Sequence, residues 1–155
     1  MLADFAKNWL AHDGLWFQAA EKAYGLPAAI ELDASAWEQF TVIEAKRIME
    51  RHGIPSGSGL AGLKKALAYR LYAFLNRQEI NNETERSFEF RMVDCRVQSA
   101  RRRKNLPLFP CKSVGLVEYA GFACTIDPRI RTECLGCPPD PQAGGDYYCC
   151  WRFSI

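Results

Sequence analysis

The pattern of hydrophobic and polar positions divides the chain into a helical first half and a second half that contains strands. In the first half apolar residues recur three, four or seven positions apart, as on the apolar face of an amphipathic helix. This spacing predicts helices over about Leu2–Tyr24, Ala28–His52 and Leu60–Gln78. In the second helix Ser35 can act as an N-cap with Glu38 as its capping-box partner, so this helix could consist of two pieces.

Strand patterns begin at Phe88–Met92, where apolar and polar residues alternate. The strand is expected to continue to Val97, with Phe88, Phe90 and Met92 facing the helices. A helix is predicted over Cys111–Ile126. Two strands follow, at Arg129–Leu135 and Tyr147–Phe153, joined by a long loop that includes a turn at Gly144–Asp146. Helices followed by a small antiparallel sheet indicate an α+β fold.

The length of 155 residues favours a single domain over residues 1–155, with a helical part to about residue 80 and a cysteine-rich α+β part from about residue 84. A domain of this size buries roughly 70% of the surface of its unfolded chain, so it needs neither disulfides nor a metal to form a core. The net charge of +2 does not favour nucleic acid as a partner. The basic run Arg101–Lys104 could contact phosphates, but it lacks interleaved aromatic residues, which favours a solvated helix face.

The sequence predicts a cytoplasmic protein that does not insert into membranes. No segment has the roughly 18 consecutive apolar residues of a membrane-spanning helix. The first residues, Met1–Phe5, lack the basic and then apolar organisation of a secretory signal. In a reducing compartment, cysteines are expected to remain thiols.

Cysteine is the distinctive residue type of the second half, and its seven positions are Cys95, Cys111, Cys124, Cys134, Cys137, Cys149 and Cys150. The Cys134-Leu-Gly-Cys137 spacing suits two ligands of one tetrahedral metal ion. We therefore predict a metal site formed by Cys134, Cys137, Cys150 and Cys111, with zinc or an iron–sulfur cluster as the cofactor. Neighbouring strand residues face opposite sides, so only one of Cys149 and Cys150 is expected to line a site, and the spacing does not decide which. Buried thiols that only fill space are the alternative.

A catalytic role is the second interpretation of these thiols. Cys111 opens a predicted helix, where the helix dipole and Lys112 would favour the thiolate and make it a nucleophile. Cys95 is a further candidate nucleophile. His12 is the histidine that could serve as a general base.

The sequence also resembles an uncharacterised family of bacterial and archaeal cytosolic proteins over nearly the whole chain. The residues that carry this resemblance are Asp13–Phe17 with Glu21, Phe90–Arg91, Asp94–Gln98, Phe109–Lys112, Ile126–Ile130, the C-L-G-C-P-P-D segment Cys134–Asp140, and Cys150–Phe153. It is more distantly similar to the L-2-amino-thiazoline-4-carboxylate hydrolase family, in which cysteines occupy places similar to Cys95, Cys111 and Cys149 or Cys150. The order of elements also resembles the 4-vinyl-reductase-like small-molecule-binding domains.

Three functions follow from these observations. The first is a binding module that holds a metal ion or a small-molecule ligand at a cysteine-lined site. The second is a cysteine-dependent hydrolase acting on a small cyclic amide-like substrate, as the resemblance implies. The third is a structural or interaction protein with buried thiols. Tryptophans on helical faces could serve a homodimer interface as well as a core.

Overall fold

Five α-helices account for most of the chain in the computed structural model, which describes residues 1–141 and 145–155. They are α1 (Leu2–Tyr24), α2 (Leu26–His52), α3 (Gly59–Leu67), α4 (Arg96–Arg103) and α5 (Lys112–Ile126). The predicted helices over the first 52 residues are confirmed, and α2 runs through Ser35 without a break. It ends at Gly53, whose φ of 59° is the left-handed conformation that glycine adopts without strain.

The third predicted helix was wrong in its second half. The helix ends at Leu67, a short 3₁₀ turn follows at Leu71–Phe74, and residues Arg77–Asn81 form strand β1. Strand β1 lies at the edge of the sheet, where its backbone hydrogen bonds with the next strand outweigh the helical spacing of the segment.

The sheet is antiparallel throughout and consists of β1, β2 (Ser87–Asp94), β3 (Arg131–Gly136) and β4 (Cys149–Ser154). The strand order is β1-β2-β4-β3, so β4 lies between β2 and β3. Phe90 is paired with Trp151 and Met92 with Cys149 across the two central strands. The predicted α+β class and the pairing of the last two strands are confirmed. Gly144 of the predicted turn lies outside the described residues.

The main core lies between the sheet and helices α2, α3 and α5. Phe88, Phe90 and Met92 are almost completely buried on the helix-facing side of β2, as predicted. Trp151 and Phe153 of β4 extend this surface. A second, smaller cluster of Trp37, Phe109 and Val114 packs beside it, between α2, α5 and the loop before α5.

Helix α1 packs against the rest of the domain more loosely than its apolar pattern predicts. Phe5 and Trp16, which belong to its apolar pattern, are 66% and 67% exposed. Ala6 is its one fully buried residue. The inward face of the helix lines a cavity, whereas Phe5 and Trp16 lie outside the cavity wall and face solvent. Within the described ranges, no helix has the length and hydropathy needed to cross a bilayer.

A thiol-lined cavity as the candidate functional site

A cavity of about 420 Å³ lies between the inner face of the sheet and helices α1, α2, α4 and α5. Its volume is within the range of about 300–1,000 Å³ that is usual for small-molecule sites. The walls are largely apolar, and the aromatic side chains that line it are Phe17, Trp37, Tyr72, Phe109, Tyr119 and Trp151.

Four of the seven thiols line this cavity: Cys95, Cys111, Cys137 and Cys149. Cys95 precedes α4 and Cys111 precedes α5, while Cys137 follows β3 and Cys149 begins β4. The Sγ atoms of Cys111 and Cys137 are 3.4 Å apart. The sulfurs at the head of the last helix and beside the final strand pair therefore converge, although they are far apart in the sequence.

Buried Gln98 fixes the position of Cys111. Its side-chain amide donates to the carbonyl of Phe109 at 2.8 Å and accepts from the Phe109 backbone N–H at 2.8 Å. The same Nε2 atom is 3.5 Å from the Cys111 sulfur. Two hydrogen bonds to one residue hold the loop before α5 against α4 and orient the thiol that follows.

The thiols have different acidities. Hydrogen bonds with the thiols of Cys111, Cys134 and Cys149, together with burial, raise the pKa of Cys137 well above its usual range. Burial raises the pKa of Cys95 to about 12. The hydrogen bond from Cys137 and the charge of Lys112 lower the pKa of Cys134. The lysine that was expected to act on Cys111 thus acts on Cys134, and it also forms an ion pair with Asp140 at 2.9 Å.

This arrangement places three thiols, those of Cys111, Cys134 and Cys149, around Cys137 without forming an evident metal centre. Within the residues that the structure describes, no group of three or more His, Cys, Asp or Glu side chains is arranged to hold a metal ion. The 3.4 Å separation of the Cys111 and Cys137 sulfurs is longer than the roughly 2.05 Å of a disulfide bond, and all seven cysteines are free. The thiols can act as polarisable contacts for a ligand or as nucleophiles.

Two predicted site residues lie elsewhere. Cys150 is on the opposite face of β4, where its thiol contacts Glu89 at 4.0 Å, so it does not join Cys111, Cys134 and Cys137. Cys149 takes that place. His12 is exposed on α1 and packs against Trp16, and it is absent from the cavity wall. Adjacent helical positions diverge by about 100°, and it is Asp13 that turns toward the cavity.

Sequence reasoning did not single out the carboxyl groups of the cavity wall as a set. Asp13, Asp33 and Glu118 come from three different helices and all line it. Burial raises the pKa of Asp13, and burial with the nearby charges of Asp13 and Glu118 raises the pKa of Asp33 to about 7. Burial also raises the pKa of Glu118, against the effect of Arg70, whose guanidinium lies 2.7 Å from this carboxylate. No spacing rule joins these residues, because only tertiary packing brings them together.

The alternation of aromatic and polar residues along the last strand could have identified Cys149 as the cysteine that faces the core. Cys149 shares a strand face with Trp151 and Phe153, and a face with two large aromatic residues is the one that packs against the core. The cavity lies beside that core. The polar neighbours Arg152 and Ser154 mark the opposite face, which carries Cys150.

Fold and cavity together define a small α+β protein with an internal, thiol-lined pocket. Over residues 1–155 the chain belongs to a family of unknown function (DUF6125). None of the curated proteins matches the sequence significantly.

Among solved structures, the fold is similar to that of a trafficking protein particle complex subunit 3 from Naegleria fowleri, whose crystal structure contains covalently bound palmitic acid. The two share 12% sequence identity with a TM-score of 0.55, over 99% of this chain and 93% of the other. At this identity the likeness establishes the fold alone.

Proposed function

We propose that this protein binds a small, predominantly apolar ligand, of which an acyl chain is an example, in its thiol-lined cavity. The observation that carries the proposal is the 420 Å³ cavity itself, with its aromatic walls and four thiols. An internal space of this size, left open by an otherwise packed domain, is the usual form of a ligand site. The structural neighbour, whose crystal structure is of the protein covalently bound to palmitic acid, supports the proposal, because a protein of similar fold carries an acyl group.

The test is binding of dodecanol, a neutral molecule with an apolar chain, followed by tryptophan fluorescence and calorimetry. Gly14 lines the cavity, and a side chain added there would meet open space. We expect saturable binding of one molecule per chain and its loss in Gly14→Phe, because the phenyl ring would occupy the cavity. Ala19→Phe, at an exposed position of the same helix outside the cavity wall, is the matched control and should bind normally. Unchanged binding by Gly14→Phe would contradict the proposal.

The hydrolase function is a second candidate because Asp33 lines the same cavity as the thiols and its pKa is raised to about 7. A carboxyl group with such a pKa suits a general base near neutral pH. Alkylation of Cys111 or Cys95 should then accelerate as the pH rises through about 7, and Asp33→Asn should remove this step. If the alkylation rate shows no inflection near pH 7 in either the natural protein or the Asp33→Asn variant, a catalytic pair of Asp33 and a cysteine is contradicted.

Zinc or iron–sulfur binding is a further prediction. Its candidate ligands are Cys111, Cys134 and Cys137, with Cys149 in place of Cys150 because the Cys149 thiol lies beside Cys137. Metal analysis of anaerobically purified protein tests it directly, with Cys137→Ser as the variant that should lose the metal. Metal-free protein of normal stability would refute it.

An interaction function is supported by the neighbour, which is a subunit of a protein complex, and by the exposed apolar residues of α1. A homodimer is the simplest such assembly. Light scattering of the purified protein tests for it, and Phe5→Glu should shift a dimer to the monomer.

A further inference from the structure

We infer that the ligand of this cavity carries a carboxylate or phosphate group, which Lys7, Arg96 and Arg103 bind where the cavity opens to solvent. This inference rests on the proposed function and defines the ligand further, as an anionic amphiphile. It also gives a role to part of the basic run of α4, which the cavity's apolar interior does not explain.

The exposure of the lining residues locates the opening of the cavity. Cys137 and Trp151 line its floor and are at most 1% exposed. Lys7, Arg96 and Arg103 line the same cavity but are exposed. They come from α1 and α4, so the cavity reaches solvent beside these two helices and is flanked there by cations from both.

These three cations have no carboxylate partner among residues 1–141 and 145–155, whereas Arg101 has one. Arg101 forms an ion pair with Glu21 at 3.2 Å, and Lys104 donates a hydrogen bond to Gln18 at 2.9 Å. These contacts join α4 to α1 and leave the charges of the other three available to a ligand.

Helix stability does not account for the position of Arg96. It is the first residue of α4, where a positive charge is unfavourable to the helix dipole. Arg103, in the last turn, is favourable to the dipole. The arginine at the unfavourable end lines the cavity, which is the location expected for a cation that meets an anionic ligand.

The acidic residues of the wall do not cancel these cations. Asp13, Asp33 and Glu118 belong to α1, α2 and α5, and none of them is on α4. The pKa of Asp33, raised to about 7, diminishes its negative charge near neutral pH, and Glu118 is paired with Arg70. The wall contributed by α4 therefore remains positive beside an apolar interior, which fits a molecule with an acidic head and an apolar tail.

Three probes with the same chain length test this inference: dodecanoate, dodecyl phosphate and neutral dodecanol. We expect at least one of the two anions to bind about tenfold more tightly than the alcohol at low salt, and added salt should reduce this advantage. Whether dodecanoate or dodecyl phosphate binds more tightly identifies the acidic group.

The double variant Arg96→Gln/Arg103→Gln should lose most of this advantage, measured as the ratio of anion affinity to dodecanol affinity within the same variant. Arg102→Gln is the matched control, since Arg102 is on the same helix but stacks on Tyr148 at 5.1 Å instead of lining the cavity. Dodecanol that binds as tightly as both anions, or a double variant that behaves like the control, would overturn the inference while the cavity function stands. If none of the three probes binds, both this inference and the proposed ligand-binding function are contradicted.

Discussion

The buried arginine that pairs with Glu118 of the cavity wall allows a quantitative test of the structure. Arg70 is 2% exposed and lies between two carboxylates, with its Nε 2.9 Å from Glu44 and a terminal nitrogen 2.7 Å from Glu118. Its guanidinium carbon also lies 4.7 Å from the centre of the Phe122 ring. Replacing Arg70 by leucine would leave two buried carboxylates without a counterion.

We expect Arg70→Leu to reduce the free energy of unfolding by about 3–5 kcal/mol, the usual effect of removing one partner from a buried ion pair. Urea unfolding at neutral pH, followed by tryptophan fluorescence, measures this change. The triple variant Glu44→Met/Arg70→Leu/Glu118→Met should recover most of the loss, since exchanging a whole buried ionic group for apolar residues is often neutral.

The reduction in the free energy of unfolding caused by Arg70→Leu should also depend on pH. Without Arg70, burial raises the pKa of Glu118 without opposition, so the folded variant binds more protons than the unfolded chain. Stability of the variant should then fall as the pH rises, and its deficit should be greater at pH 8 than at pH 5.

The exposed pair of Lys64 and Glu83 provides the control. Lys64→Leu should change stability by no more than about 1 kcal/mol, because solvent screens this pair. If Arg70→Leu costs as little as Lys64→Leu, and its cost is the same at both pH values, the reasoning about the buried ion pairs is refuted.

Three further predictions concern packing, acid stability and thiol reactivity. Gly115→Ala would place its new methyl 2.6 Å from the buried ring of Trp151, and we expect denaturation to show a loss of about 1–3 kcal/mol; a neutral result would contradict the close packing. Buried Asp127 accepts hydrogen bonds from Arg129 and has a lowered pKa, so its stabilisation is present above its ordinary pKa of 3.8 and is lost as the pH falls below that value. In Asp127→Asn the free energy of unfolding should therefore depend less on pH below 3.8. An unchanged pH dependence would argue against a stabilising role of the Asp127 carboxylate. Cys134, whose pKa is lowered, should be alkylated faster than Cys95 in mass-spectrometric footprinting, and the reverse order would contradict the assigned acidities.

Much of the fold follows from local patterns in the sequence. The spacing of apolar residues predicted α1 and α2, because amphipathic periodicity is a property of each segment by itself. Alternation predicted β2 and its buried face. The edge strand β1 was missed, since its conformation depends on hydrogen bonds with a strand that follows it in the chain.

The sequence by itself also determined that thiols would be the distinctive chemistry of the second half, and that one of two adjacent cysteines would face inward. Only the tertiary structure decided that His12 lies outside the cavity and that Asp33 and Arg96 share it with the thiols. The physical reason is that a cavity is formed by residues distant in the chain. Its wall depends on how helices pack on the sheet, and no periodicity within a single element specifies that packing.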